Sequence, residues 1–382
     1  MKNIHLLYDH IQEIPINRRK EFIDIHIKNN IINSHTLNYI ASRFKHLLKF
    51  PFLKYKVRIR FDNLNFGDKI TYLILDALIY DLLSRTNFEV YFEITRVEKE
   101  GVHNIGFTST AIYRTGVRTQ SHLLVKKVFL EEYRSTIINK NTFRKLLSSE
   151  ELEDLFAQSK IFTDVANTLN PYLNDEEWID SISEAVSELV CNVSSHTKGD
   201  CLLDINFNTA RGNIVNNRSK EHILVNISVI NFSENRLFDK LKYNIKNNIY
   251  SGEDKLYSKI YRAYNTHKGL FADRYDEDHF FMITAFQNHV TTRTTKSGSN
   301  GTGLTRLIQS IIGKAEDDYS YTLSGNNILF FKEKYLNISE DKFIGFNEEN
   351  DYFNTRPGLD VIDKSALYIP GTIHNLLLIK EI

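Results

Sequence analysis

The sequence predicts a mixed α/β fold, shading into α+β, in two domains, and three observations predict it. KVRIRF (56–61) and FEVYFEI (88–94) alternate apolar and polar residues on either side of a helix-period stretch, which makes a strand–helix–strand unit. Beyond residue 170 an amphipathic helix precedes two further alternating runs, CLLDINFN and HILVNISVINFS. At 382 residues the chain is long enough for two cores.

Composition narrows the function classes. Forty-eight basic and 48 acidic residues give zero formal charge, so no global field draws the chain to nucleic acid or an anionic membrane. No apolar run reaches the length of a membrane span, and MKNIHLLYDHIQEIPINRRK lacks a signal-peptide core. The two cysteines, Cys191 and Cys201, have no zinc-type spacing and cannot build a disulfide framework. These features fit a soluble protein of a reducing cytoplasm.

In the first domain, Leu37, Ile40, Phe44, Leu47 and Leu48 recur at helical spacing, with Ser34 or Thr36 as the expected N-cap. Pro51 interrupts, and Val57, Ile59 and Phe61 alternate as a strand. A helix over about Lys69 to Ser84 turns Ile70, Leu73, Ile74, Ala77 and Leu78 inward, and Phe88, Val90, Phe92 and Ile94 alternate in the next strand. Two strands joined through a helix run parallel, so part of this sheet is parallel. Residues 96–122 read as a solvated loop or edge, and 123–147 as a helix closing the domain. The boundary falls between 140 and 150, giving domains of 1–145 and 146–382.

The strand–turn–helix order over residues 55–95 resembles a STAS-type regulatory domain. STAS domains switched by phosphorylation carry a serine where the helix begins. Here the segment reads Asn65, Phe66, Gly67, Asp68, with Thr71 the nearest hydroxyl, so the resemblance implies a STAS-like module without that switch.

In the second domain, Trp178, Ile182, Val186, Leu189 and Val190 line one helix face. Within SELVCNVSSH (187–196), Glu188 and Asn192 are spaced i, i+4 and share a face, and His196 follows one turn later. A carboxylate beside a carboxamide suits a divalent cation and a water held against phosphate. In GSNGTGL (298–304), Gly301 and Gly303 stand just ahead of the apolar run LTRLIQSII, where backbone N–H groups and a helix N-terminus can approach phosphate oxygens. Residues 234–295 read as charged and irregular with helical pieces. YSYTLS and ILFFK read as a hairpin turning at Gly325, Asn326 and Asn327, residues 336–366 as a polar insertion, and PGTIHNLLLI as a last strand.

A helix bearing E-x-x-x-N, two strands, a variable lid, G-x-G-L opening a helix, a hairpin and a final strand after P-G-T together resemble the GHKL ATPase superfamily. Its members include gyrase, heat-shock chaperones, histidine kinases and MutL. The likeness covers about residues 170–382 and implies a sandwich of helices on one face of a mixed sheet, with a lid at about 234–300. It implies ATP and Mg²⁺ as ligands. Asn192 would coordinate the metal, and Glu188 would orient or deprotonate the attacking water. Gly301, Thr302, Gly303 and Leu304 would surround the phosphates, with Lys296 as a further phosphate contact. Where the superfamily ends its strand in D-x-G-x-G, whose aspartate binds the adenine amino group, this chain has Asn231, Phe232, Ser233, Glu234, Asn235. An asparagine there either accepts or donates, so adenine and guanine both stay open.

Three functions stand at this point. One is a Mg-dependent ATPase whose nucleotide state controls a lid, a homodimer or a protein partner. Another is a serine or histidine protein kinase of the anti-sigma or sensor type. The third is a degenerate nucleotide-sensing interaction module.

Overall fold

The structure is a computed structural model and describes residues 1, 3–16, 21–29, 31–97, 106–139, 141–196, 199–211, 221–249, 255–288, 290, 303–339 and 342–381. The chain is mixed α/β and forms two compact units. One holds Met1–Leu146, Leu202–Asn208 and Ser365–Tyr368; the other holds Leu147–Cys201, Thr209–Lys364 and Ile369–Ile382. Among the described residues, no helix is long and apolar enough to cross a membrane.

The first unit begins with β1 (Phe22–Ile27), α1 (Ser34–Leu47), β2 (Lys56–Leu64), α2 (Lys69–Arg85) and β3 (Glu89–Val97). β1, β2 and β3 are parallel neighbours, and β4 (Leu123–Leu124) adds to β3 antiparallel. Val57, Ile59 and Phe61 are buried, as their alternation requires. The cap of α1 is Asn33, not Ser34 or Thr36: its side chain accepts the His35 and Thr36 N–H groups at 3.1 and 3.2 Å. Asp68 caps α2, accepting the Thr71 N–H at 2.8 Å and the Thr71 hydroxyl at 2.6 Å. Every residue of α2 from Lys69 to Leu83 is buried, so the helix is enclosed on all sides and not only on its apolar stripe.

The stretch 123–147 is not one helix. It divides into β4, α3 (Lys126–Arg134) and an antiparallel pair, β5 (Ile137–Asn139) with β6 (Thr142–Leu147). Ile137 and Ile138 favour the strand, and Asn139 pairs with Thr142 at the end of the antiparallel ladder. Within 96–122, the described segment 106–117 is no solvated loop: Phe107, Ser109, Thr110, Ala111 and Ile112 are buried, and 113–117 form a π-helical turn.

Pairing β6 into a sheet buries Arg144, and with it a charged cluster. Its guanidinium donates to Asp76 at 2.8 Å and stands 3.8 Å from Asp204, on a later strand, β7 (Cys201–Arg211). Asp76 also accepts the Ala111 and Ile112 amides at 3.1 and 2.9 Å. Lys69 closes the group, donating to the Asp204 carbonyl at 2.8 Å with its carboxylate at 2.9 Å. All four side chains are essentially inaccessible. Burial pulls the Lys69 ammonium down to about 8, with Asp204 opposing it. Two cations facing two anions leave the cluster neutral, which is the condition for burying charge at all.

The second unit opens with α4 (Ser149–Leu152), α5 (Ala157–Leu169) and α6 (Glu176–His196). β8 (Glu221–Phe232), β10 (Ile362–Glu381) and β9 (Tyr321–Phe330) form an antiparallel group with β10 in the centre. The expected hairpin at Gly325 is a single strand. Gly325 has φ +65° and pairs with Ile369, while Asn327 pairs with Lys364, so the glycine marks an irregularity within one ladder. Asn327 is held in place by its bond to Asp276 at 3.0 Å, which keeps the chain extended through G-N-N.

Between β8 and β9 lie α7 (Asp239–Lys246), α8 (Lys255–His267), α9 (Glu277–Ala285) and α10 (Gly303–Ile311). α9 packs against both α7 and α8. The polar composition of 336–366 conceals a buried minority: Phe343, Ile344, Phe346 and Tyr352 are in the core. Tyr352 stacks on Phe343 and Phe280, and its carbonyl bonds His267 at 2.9 Å.

In β10, His374 is buried and bonded to the Thr322 hydroxyl at 2.7 Å. Burial pushes its pKa from 6.5 to about 3. Folded protein therefore keeps this ring neutral where unfolded chain protonates it. Stability present above pH 6.5 is lost as the pH falls toward 3. The slope is about 1.4 kcal/mol per pH unit from this group. Urea unfolding at about pH 7 and about pH 5 should show His374→Gln losing less stability on acidification than wild type. Equal losses would contradict the assignment.

Candidate functional site

α6 is positioned by its apolar face. Ile179, Ile182, Val186, Leu189, Val190 and Val193 are buried, and the helix packs against α5, α10 and β8. Just ahead of it, Asp175 accepts the Trp178 N–H at 3.0 Å. Glu188 and Asn192 lie on the helix flank, both half-buried. Cys191, between them in sequence, has its thiol pushed up to about 11 by burial and by the charge of Glu188. It is therefore protonated at neutral pH and no nucleophile. Burial raises Cys201 as well.

α10 packs against α6, and its Leu307, Ile308 and Ile311 are buried. Gly303 is its first residue, and Leu304 is half-buried in its first turn. The packing therefore draws together the helix carrying the carboxylate and carboxamide and the helix that begins at Gly303. Lys296, Gly301 and Thr302 lie outside the described residues, as does the side chain of His196, the last residue of α6.

The end of β8 supplies a third component. Asn231 is 1% exposed, and its Nδ2 donates to the Asp200 carbonyl at 3.0 Å. A carbonyl can only accept, so this bond decides which end of the carboxamide is which. The buried Oδ1 has no hydrogen-bond partner among the described residues. Such an acceptor calls for a donor from water or a ligand, because leaving it unmet costs about 1–3 kcal/mol. The choice that the residue type leaves open is settled by its neighbour: Asn231 presents an acceptor.

Three further residues complete this wall. Thr372 pairs with Asn231 across the β8–β10 ladder, so both side chains emerge on one face. Gly371, with φ +102°, lies so near that a Cβ there would stand 2.4 Å from the Asn231 carbonyl oxygen. Ser324 of β9 is fully buried, donates to the Gly371 carbonyl at 2.6 Å and accepts the Leu237 N–H at 3.0 Å.

The turn after β8 lacks the glycines of D-x-G-x-G and is fastened by other means. The Ser233 N–H donates to the Pro370 carbonyl at 3.1 Å, and its hydroxyl to the Asn235 carbonyl at 2.7 Å. Arg236 bonds both Asp239 and Asp278, which ties the turn to α7 and α9. The P-G-T string points to Thr372 and Gly371, but nothing local marks Ser324 or Asp200 as their partners.

The donor set near α6 consists of oxygen atoms, one carboxylate and one carboxamide. That composition suits a hard cation whose remaining ligands come from phosphate and water. Among the described residues no three His, Cys, Asp or Glu side chains cluster as a self-sufficient metal site. Comparison with protein-family models, curated proteins and solved structures yields no match.

Proposed function

We propose that the second unit binds Mg·ATP in a GHKL-type site and hydrolyses it, and that nucleotide state governs a protein partner or a second copy of the chain. The packing of α6, with Glu188 and Asn192 on its flank, against α10, opened by Gly303, carries this reading. The element order among the described residues supports it too: E-x-x-x-N helix, β7, β8, then α7, α8 and α9, the helix that begins at Gly303, then β9 and β10. So does the buried acceptor of Asn231.

In this reading Asn192 would help hold Mg²⁺ through its carboxamide oxygen, and the metal would supply charge that offsets the phosphates. Backbone N–H groups at the start of α10 meet the phosphates at the positive end of the helix dipole. Glu188 accepts the proton of the attacking water; its half-buried setting limits competition from bulk solvent. The first unit, with parallel β1, β2 and β3, serves as a STAS-like interaction module. Thr71 is buried and bonded to Asp68, so phosphorylation at the start of α2 has no part in the proposal.

The test combines Mg-dependent release of labelled phosphate with thermal stability. Mg·ATP held at about a hundred times its Kd should stabilise the protein by about 2.7 kcal/mol. Free phosphate should appear only when Mg²⁺ is present. Stabilisation without turnover would leave a nucleotide sensor, and label retained on protein would indicate a kinase. No response to any nucleotide would overturn the reading.

A further inference from the structure

The hydroxyl of Ser324 has one proton, and its partners decide where that proton goes. At 2.6 Å the Gly371 carbonyl can only accept, so Ser324 donates there. The Leu237 N–H takes one lone pair of the same oxygen. Thr372 Oγ1 lies 3.4 Å from Ser324 Oγ. With the serine proton committed, this last contact can form only if Thr372 donates. The Thr372 hydroxyl proton is thereby turned toward Ser324, and its lone pairs are left for the other side. Asn231, paired with Thr372 across the ladder, likewise presents its Oδ1 because Asp200 holds its amide nitrogen. Two acceptors therefore stand side by side on one face, each fixed by a backbone carbonyl elsewhere.

We infer that Ser324 is a positioning residue that sets the hydrogen-bond polarity of this wall and thereby selects a base bearing an exocyclic amino group over one bearing an oxo group at that edge. The inference rests on the nucleotide reading of the site. Ser324 itself is buried beneath Thr372 and acts through it. Without its hydroxyl, the Thr372 proton is released to rotate, and the wall can then offer a donor to an oxo group. The consequence is lost discrimination rather than simply lost affinity. A purely structural role for Ser324 would weaken all nucleotides alike.

The experiment is calorimetric titration of Mg·ATP and Mg·GTP into full-length wild type, Ser324→Ala and Ser324→Thr. Wild type should prefer ATP by about tenfold or more, the effect of about one hydrogen bond gained and one repulsion avoided. Ser324→Ala should bring the two affinities to within about threefold, and Ser324→Thr should restore the preference. Thr372→Val, which keeps the side-chain volume, should also reduce the preference and serves if Ser324→Ala does not fold. An unchanged ATP:GTP ratio in the folded alanine variant, or in Thr372→Val where it is needed, overturns the inference, whatever happens to absolute affinity. So does a wild type that binds both nucleotides equally. A wild type that binds neither removes the nucleotide reading together with it.

Discussion

Asp76→Ala is expected to lower the stability of the folded protein by about 3–5 kcal/mol, the usual consequence of removing one partner from a buried ion pair. The carboxylate is fully buried and accepts from Arg144, Ala111 and Ile112. Truncation leaves the guanidinium with only the more distant Asp204 carboxylate, which Lys69 shares, and strands two backbone N–H groups where water has no access. Arg144→Met on its own should also be costly, because Asp76 then loses its countercharge. The two together should cost less than the sum, since neither charge is left alone and the apolar replacement fills the space. Urea unfolding of wild type, both single variants and the double variant gives the coupling directly. Additive losses would mean that the pair contributes nothing as a pair.

Glu188→Gln should reduce ATP turnover by about 10²–10⁴-fold, the range for loss of a positioned general base. Nucleotide affinity should change little, because the proposed role lies with the water and not with the ground-state phosphates. Glutamine keeps the length and most of the hydrogen bonding of the side chain, so α6 should hold its place against α10. Phosphate release under saturating Mg·ATP separates the outcomes. A fall in kcat at constant KM supports the assignment, whereas equal kcat in wild type and variant removes Glu188 from the chemistry.

What was legible in the sequence follows from where the information resides. The β2–α2–β3 unit shows plainly because Val57, Ile59, Phe61 and the apolar run of α2 carry their periods locally, and β2 and β3 are parallel as that unit requires. The cap of α1 was harder, because Asn33, Ser34 and Thr36 are all good caps and only the backbone geometry selects Asn33. G-N-N looks like a hairpin turn because its alternative, an extended strand with Asn327 bonded to Asp276, depends on a residue far away in sequence. Lys69 and Arg144 look like surface cations for a similar reason: their partners are Asp204 and Asp76. The same holds for the inclusion of Leu202–Asn208 in the first unit.

At the candidate site, the composition of α6 and α10 was readable and their packing was not. Glu188, Asn192 and Gly303 stand out through spacing and residue type alone. The polarity of Asn231 depended on the Asp200 carbonyl, and the placement of Thr372 on the register of β8 against β10. Register is a property of the paired strands, and neither strand specifies it alone.

The central claim is that the α6 flank and the start of α10 together hold a metal-bound triphosphate, and titrating Mg·ATP into wild type and Asn192→Ala tests it most directly. Wild type should give a saturable isotherm that disappears when Mg²⁺ is chelated. Asn192→Ala, equally well folded by circular dichroism, should bind at least about tenfold more weakly. Superimposable isotherms for the two proteins, or no heat from wild type with any nucleotide, would contradict the account.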